Sequence, residues 1–192
     1  MTPTPRTLAL LETLRLFHPA DPQELAALDR IRAFLLRAPD PFARATPEGH
    51  ITASVVILRP DAGASAFLLV RHRKLDRWLQ PGGHSDPTDE TTLATALREA
   101  REETGLGDLT PRLGGGPLDF DVHEIPARPG EPAHLHYDIR YLATSPGEAA
   151  TGDALEVSGL GWFSLADALA LGVDPSLGRA LRKAAALAPS GR

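Results

Sequence analysis

The stretch from Gly82 to Leu106 constrains this chain more than any other part of it. Within it, Glu99, Glu102 and Glu103 stand at i, i+3 and i+4 of a segment with helical character, a spacing that gathers three side chains on one face. Gly105 follows as a C′ glycine, so the carboxylates fall in the last turn, where the helix dipole already disfavours negative charge. Like charges at i,i+4 cost roughly 0.2–0.5 kcal/mol, and each carboxylate in the last turn roughly 0.3–1 kcal/mol more. Stability alone does not favour such an arrangement. A bound divalent cation reverses the sign of the effect, because hard cations such as Mg²⁺ take oxygen ligands. The competing reading is a solvated acidic face relieved by Arg98 and Arg101.

The neighbouring residues weigh against that competitor. The loop before the helix opens with Pro81-Gly82-Gly83, and seven residues separate Glu90 from Arg98. The run from Gly83 to Leu106 resembles the Nudix box, G-x5-E-x7-R-E-U-x-E-E-x-G-U, with U a bulky aliphatic residue. Two positions depart from it. Strict spacing from Gly83 lands on Asp89, whereas spacing from Arg98 lands on Glu90, which reads as one extra residue in the Pro87-Thr88-Asp89 loop. Ala100 stands where a larger aliphatic is expected, which suggests a tighter contact between helix and sheet. Gly49-His50-Ile51-Thr52-Ala53-Ser54 and Trp78-Leu79-Gln80-Pro81-Gly82-Gly83-His84 are similar to a bacterial subgroup of the MutT-like Nudix hydrolase superfamily, over about residues 48–165.

Composition bounds the alternatives. A chain of 192 residues with 42% hydrophobic and 23% charged residues suffices for one domain with a substantial core. A net charge of −5 gives no broad basic surface, so no nucleic-acid partner is expected. The absence of cysteine excludes disulfides, thiolate metal sites and a cysteine nucleophile. No apolar run approaches the roughly 20 residues that cross a bilayer, and the first residues lack the plan of a signal peptide. The expectation is a cytoplasmic protein without a membrane partner.

Residues 1 to about 46 read as a helical extension packed on the same domain, and 47–192 as the Nudix hydrolase domain. Asp21-Pro22-Gln23-Glu24 opens a helix with an Asp N-cap, proline at the first position and Glu three residues after the cap. Leu25, Leu28, Ile31 and Leu35 predict its buried stripe, and Pro39-Asp40-Pro41 ends it. This segment reads as packing or a homodimer contact. Strands are predicted at 51–58, 66–70, 117–125, 134–144 and 157–163. The box helix is predicted to run from near Asp89 to near Thr104, with Leu93, Ala96, Leu97 and Ala100 inward. Ser164 and Asp174-Pro175 open two C-terminal helices. The expected fold is α/β: a Nudix-type α/β/α sandwich around a mixed sheet, with an N-terminal helical extension.

The resemblance implies metal-dependent hydrolysis of a diphosphate linkage in a nucleoside diphosphate-linked substrate, a nucleoside triphosphate or a nucleotide sugar such as ADP-ribose. It implies Mg²⁺, with Mn²⁺ as a substitute, held by Glu99, Glu102, Glu103 and the Gly82 carbonyl. Arg98 and Glu90 would pair with each other or with the helix glutamates and fix their rotamers; an ordinary Arg98–Glu102 surface pair competes. The general base is Glu102 within the helix or Asp138 outside it. His134, His136 and Asp138 alternate along one strand and share a face, which means either a cavity or an exposed edge. The same alternation suggests zinc, but the sequence shows no further ligand. His136 is a candidate for substrate contact. Arg71, Arg73 and Lys74 are placed to hold phosphate oxygens, against solvated hairpin charge as the plainer reading. Trp78 is a candidate for stacking on a base, Trp162 reads mainly as packing, and Glu156 is placed to approach the metal.

Two rivals remain. Isopentenyl diphosphate isomerases share the fold but rely on a cysteine, which this chain lacks. A catalytically silent, nucleotide-binding sensor would show eroded glutamates or an appended DNA-binding domain; here the box acids are present, and the stretch after Trp162 is short for such a domain.

Overall fold

The computed structural model describes residues 3–60, 65–128, 130–147 and 157–188. Two helices come first, α1 (Pro5–Arg15) and α2 (Pro22–Arg37). Thr4 caps the first by accepting from the Thr7 N–H, and Asp21 caps the second by accepting from the Glu24 N–H at 2.9 Å. Leu28, Ile31 and Leu35 are buried as the spacing predicts, together with Ala27 and Phe34. Leu25 is a correction: it is 39% exposed. The buried face is rotated toward Glu24, whose carboxylate accepts from Lys183 Nζ at 2.6 Å.

The sheet comprises β1 (Gly49–Pro60), β2 (Ser65–His72), β3 (Arg77–Leu79), β4 (Gly82–His84), β5 (Thr110–Pro111), β6 (Asp119–Ile125), β7 (His134–Thr144) and β8 (Val157–Ser164). Between β4 and β5 lies α3 (Thr92–Thr104), and after β8 come α4 (Leu165–Ala170) and α5 (Pro175–Leu187). The order is β3-β2-β1-β7-β5, with β4 paired to β1, β8 to β2 and β6 to β7. The β1–β7 pair is parallel and the other pairs are antiparallel, so the sheet is mixed. Three short strands, β3, β4 and β5, escape the sequence prediction because two or three residues carry no readable alternation.

Alternation along β1 sorts the core. Ile51, Ala53, Val55 and Ile57 point to one side and pack with α1, α2 and α3; Val56 and Leu58 point to the other and pack with α4 and α5. The result is an α/β/α sandwich of the expected kind. On α3, Ala96 and Ala100 are fully buried, while Leu93 and Leu97 are partly so. No helix among the described residues is long and apolar enough to cross a membrane.

Candidate active site

Thr91 caps α3 by accepting from the Ala94 N–H, so the helix starts at Thr92, later than its predicted start near Asp89. Gly105 closes it in the left-handed conformation at φ 69°. With only methyl groups at Ala96 and Ala100, the helix lies close against β1, and its last turn reaches β4. There the missing side chain of Gly83 admits Glu99, and that of Gly82 admits β1. A Cβ on Gly83 would lie 2.6 Å from Glu99 Oε2. A Cβ on Gly82, whose φ is 156°, would lie 2.4 Å from the Ser54 Cα. The Gly82 N–H donates to Glu103 Oε2 at 3.0 Å. Glu103 is buried, the Glu99 side chain nearly so, and the Glu102 side chain is 55% exposed.

Arg98 ties this turn to the loop. Its Nε and Nη2 donate to the two oxygens of Asp89 at 3.1 and 3.0 Å, and Nη2 also donates to the His84 carbonyl at 2.8 Å. Its Nη1 reaches Glu99 at 3.1 Å and Glu102 at 3.2 Å. Asp89 also accepts from the Asp86 N–H and from Thr95 Oγ1, both at 2.9 Å. Burial alone would raise the Asp89 carboxyl, but these hydrogen bonds outweigh it and hold it below the usual carboxylate range. The hydrogen bonds to Asp89 raise the Arg98 guanidinium. The pairing expected of Glu90 is therefore made by Asp89, and Glu90 is exposed. The glycine spacing finds the acid that pairs with Arg98; the extra residue lies after Asp89, just before the helix.

The NUDIX domain model matches residues 48–184. This chain belongs to the NUDIX family. The Nudix fold recurs among solved structures, including an Ap4A hydrolase of C. elegans in a binary complex, at 24% identity and TM-score 0.55 over 71% of this chain and 96% of that one. The NUDIX domain of Shewanella oneidensis NrtR, complexed with ADP ribose, aligns at 22% identity and TM-score 0.54 over 79% and 94%. The dihydroneopterin triphosphate pyrophosphohydrolase of E. coli aligns at 20% and 0.53 over 72% and 96%. No curated protein matches the sequence.

Two other candidates of this Nudix domain, His136 and Asp138, fall on the opposite face of β4 from α3. The pleat turns Gly83, opposite Ala53, toward α3, and turns His84, opposite Thr52, the other way. On that second face, α4 and α5 cover Val56, Leu58 and Leu142, and polar side chains occupy the rest. The parallel register sets His50 beside His136, Thr52 beside Asp138 and Ser54 beside Arg140; β6 adds His123 beside His136, Asp121 beside Asp138 and Asp119 beside Arg140. The strand carrying His134, His136 and Asp138 is interior, so the edge reading fails. Asp138 is buried and already engaged, accepting from Ser54 Oγ at 2.7 Å, Thr52 Oγ1 at 3.1 Å and Gln80 Nε2 at 3.4 Å, with Arg140 at 3.4 Å. Arg140, almost fully buried, also pairs with Asp119 and Asp121. Burial opposes ionisation of Asp121, but the hydrogen bond from His123 and the Arg140 charge outweigh it and bring its pKa down to about 2.

His136 lies in a group with His50 and His84, whose candidate ligand atoms all fall within 4.8 Å of one another. Both ring nitrogens of His50 and the Nε2 atoms of His134 and His136 are buried without a hydrogen-bond partner. Each orphaned group costs about 1–3 kcal/mol. Burial above all, then the neighbouring rings and, for His50 and His84, the Arg44 charge, drive the pKa of His50 down to about 4, of His84 to about 3 and of His136 to about 2. The imidazoles are neutral at physiological pH.

Sequence reasoning weighed Asp89 but chose Glu90, and it missed His50, His84 and His123. A period-2 polar pattern, His50-x-Thr52-x-Ser54 within an apolar strand and Asp119-x-Asp121-x-His123 in another, was the available signal. The cationic cluster sits at the β2–β3 hairpin, where Arg71 pairs with Asp76 at 2.7 Å and Arg73 and Lys74 are exposed. Trp78 packs edge-on against Phe163, with ring centroids 5.0 Å apart, which favours packing over base stacking. Trp162 lies under the Arg59 guanidinium at 4.9 Å. Glu156 lies outside the described residues.

Proposed function

We propose that this Nudix domain is a Mg²⁺-dependent pyrophosphohydrolase, with Mn²⁺ as a substitute, acting on a nucleoside triphosphate or a nucleotide sugar such as ADP-ribose. The observation that carries the reading is the gathering of three glutamates on the last turn of α3: Glu99 against Gly83, Glu103 on the Gly82 N–H, and Arg98 in contact with both Glu99 and Glu102. The donor set fits a hard divalent ion: carboxylate oxygens, with the Gly82 carbonyl as the proposed further ligand. Once bound, such an ion acidifies a water and neutralises the diphosphate. Arg98 fixes the rotamers of Glu99 and Glu102, and the Gly82 N–H fixes Glu103. Glu102, the most open of the three, accepts the proton of the attacking water. Asp138 is less suited to that task, because hydroxyl, amide and guanidinium partners already engage both its oxygens on the far side of β4. Arg73 and Lys74 are the exposed cations of the hairpin and take the distal phosphate oxygens.

The test is incubation with Mg²⁺ and nucleoside triphosphates, nucleotide sugars, dinucleoside polyphosphates and coenzyme A, with products separated by anion exchange. Turnover of one class is expected, abolished by a chelator and by Glu103→Gln, whose amide oxygen still accepts from the Gly82 N–H. Tight nucleotide binding without turnover under Mg²⁺ or Mn²⁺ would replace hydrolysis with the silent-sensor reading.

A further inference from the structure

The histidines on the far face of β4 have no role in the hydrolysis derived above. Their chemistry differs from that of the glutamates: three imidazoles converge from three strands, His50 on β1, His84 on β4 and His136 on β7. Ring centroids are 4.9 Å apart for His50–His84 and His50–His136, and 5.0 Å for His84–His136. His50 is 2% exposed, yet neither of its ring nitrogens has a hydrogen-bond partner. A buried imidazole left so is unusual among satisfied interiors and suits a ring whose partner is an ion.

We propose that His50, His84 and His136 form a second metal site, separate from the carboxylates, that takes a divalent transition metal of the zinc class. Three imidazole nitrogens favour Zn²⁺, Ni²⁺, Co²⁺ or Cu²⁺ over Mg²⁺, which takes oxygen. At a Zn–N distance of about 2.0–2.1 Å, tetrahedral geometry sets the nitrogens about 3.3 Å apart, which modest side-chain rotation supplies from the present 4.8 Å limit. His134 stands next to the group, its ring 5.1 Å from His50 and 5.3 Å from His136. Its Nδ1 lies 3.0 Å from the Pro132 carbonyl, which can only accept, so Nδ1 is the donor there, and its buried Nε2 makes no hydrogen bond and lies 3.9 Å from Glu131 Oε1. A carbonyl holding the far side of a ligand ring is how metal sites orient histidine. His134 thus offers a fourth nitrogen, or leaves the fourth position to water. The further ligands that a His-x-His strand lacks in sequence are supplied by β1 and β4.

The experiment titrates chelator-treated full-length protein with Zn²⁺ in excess Mg²⁺ by calorimetry, and records the visible spectrum of the Co²⁺ form. Stoichiometric Zn²⁺ binding is expected, unchanged in Glu103→Gln and weakened by more than about 100-fold in His50→Gln and His136→Gln, since even an outer partner of a metal ligand is worth 10–100-fold. The intense bands of four-coordinate Co²⁺ are expected in the unmutated protein, so the outcome does not depend on the variants folding. Absence of Zn²⁺ binding, binding that survives in folded histidine variants, loss in Glu103→Gln, or only the weak spectrum of six-coordinate Co²⁺ would each overturn the site. None of these readouts is hydrolysis, so failure here leaves the proposed activity standing.

Discussion

Asp89 and Glu90 are adjacent acids with opposite fates. Asp89 is buried and takes the Nε and Nη2 of Arg98, while Glu90 faces water. Arg98 in turn holds Glu99 and Glu102, so Asp89 orients the carboxylate site through it. Removing one charge of a hydrogen-bonded pair of this kind costs about 1.5–3 kcal/mol. Asp89→Asn is accordingly expected to destabilise the protein by about that amount at pH 7, and Glu90→Gln by less than about 0.5 kcal/mol. The folded-state pKa of Asp89 is depressed, so its contribution is present above the unfolded value of 3.8 and is lost as pH falls below it. The gap between wild type and Asp89→Asn should close as pH falls through that range. Denaturant melts of the three proteins decide it; equal losses for the two variants would return the role to Glu90.

At the scale of elements, the contact that matters is β4 against the last turn of α3. A methyl on Gly83 collides with the end of the Glu99 side chain, which can swing away; one on Gly82 collides with the Ser54 backbone, which cannot. Gly83→Ala is therefore expected to keep its melting temperature within a few degrees while kcat falls about 100-fold, the scale of a 1 Å misplacement. Gly82→Ala should lose stability as well. Unchanged turnover in Gly83→Ala would show that the Glu99 position is not needed. Helices were the most legible elements: capping residues, Pro22, Pro175 and Gly105 act within one turn of the chain, so their signals are local. The short strand β4 was not legible, because its three residues become a strand only by pairing with β1.

Across the whole molecule, the N-terminal helices share one core with the sheet. Leu14, Leu28 and Ile31 lie in the same cluster as Ile51, Ala100 and Ile139, and Phe34 stacks on Tyr137 with centroids 4.0 Å apart. On the opposite side, Lys183 of α5 bridges Glu24 of α2 and Asp119 of β6 at 2.6 and 3.3 Å. Residues 1–46 are thus expected to unfold together with 47–192, as one calorimetric transition whose van't Hoff and measured enthalpies agree. A separate low-temperature transition, absent after deletion of 1–46, would make the extension an independent unit.

The sequence by itself determined the glutamate triad, the helix that carries it, the major strands and the family, because each rests on spacing within one segment or one motif. Only the tertiary structure decided which acid meets Arg98, since Asp89 and Glu90 are a single residue apart and the turn before α3 chooses between them. It alone assembled the histidine group, because the parallel register of β1 on β7 joins residues far apart in the chain. Side-chain alternation tells which residues share a face of one strand; it does not tell which strand lies next to it.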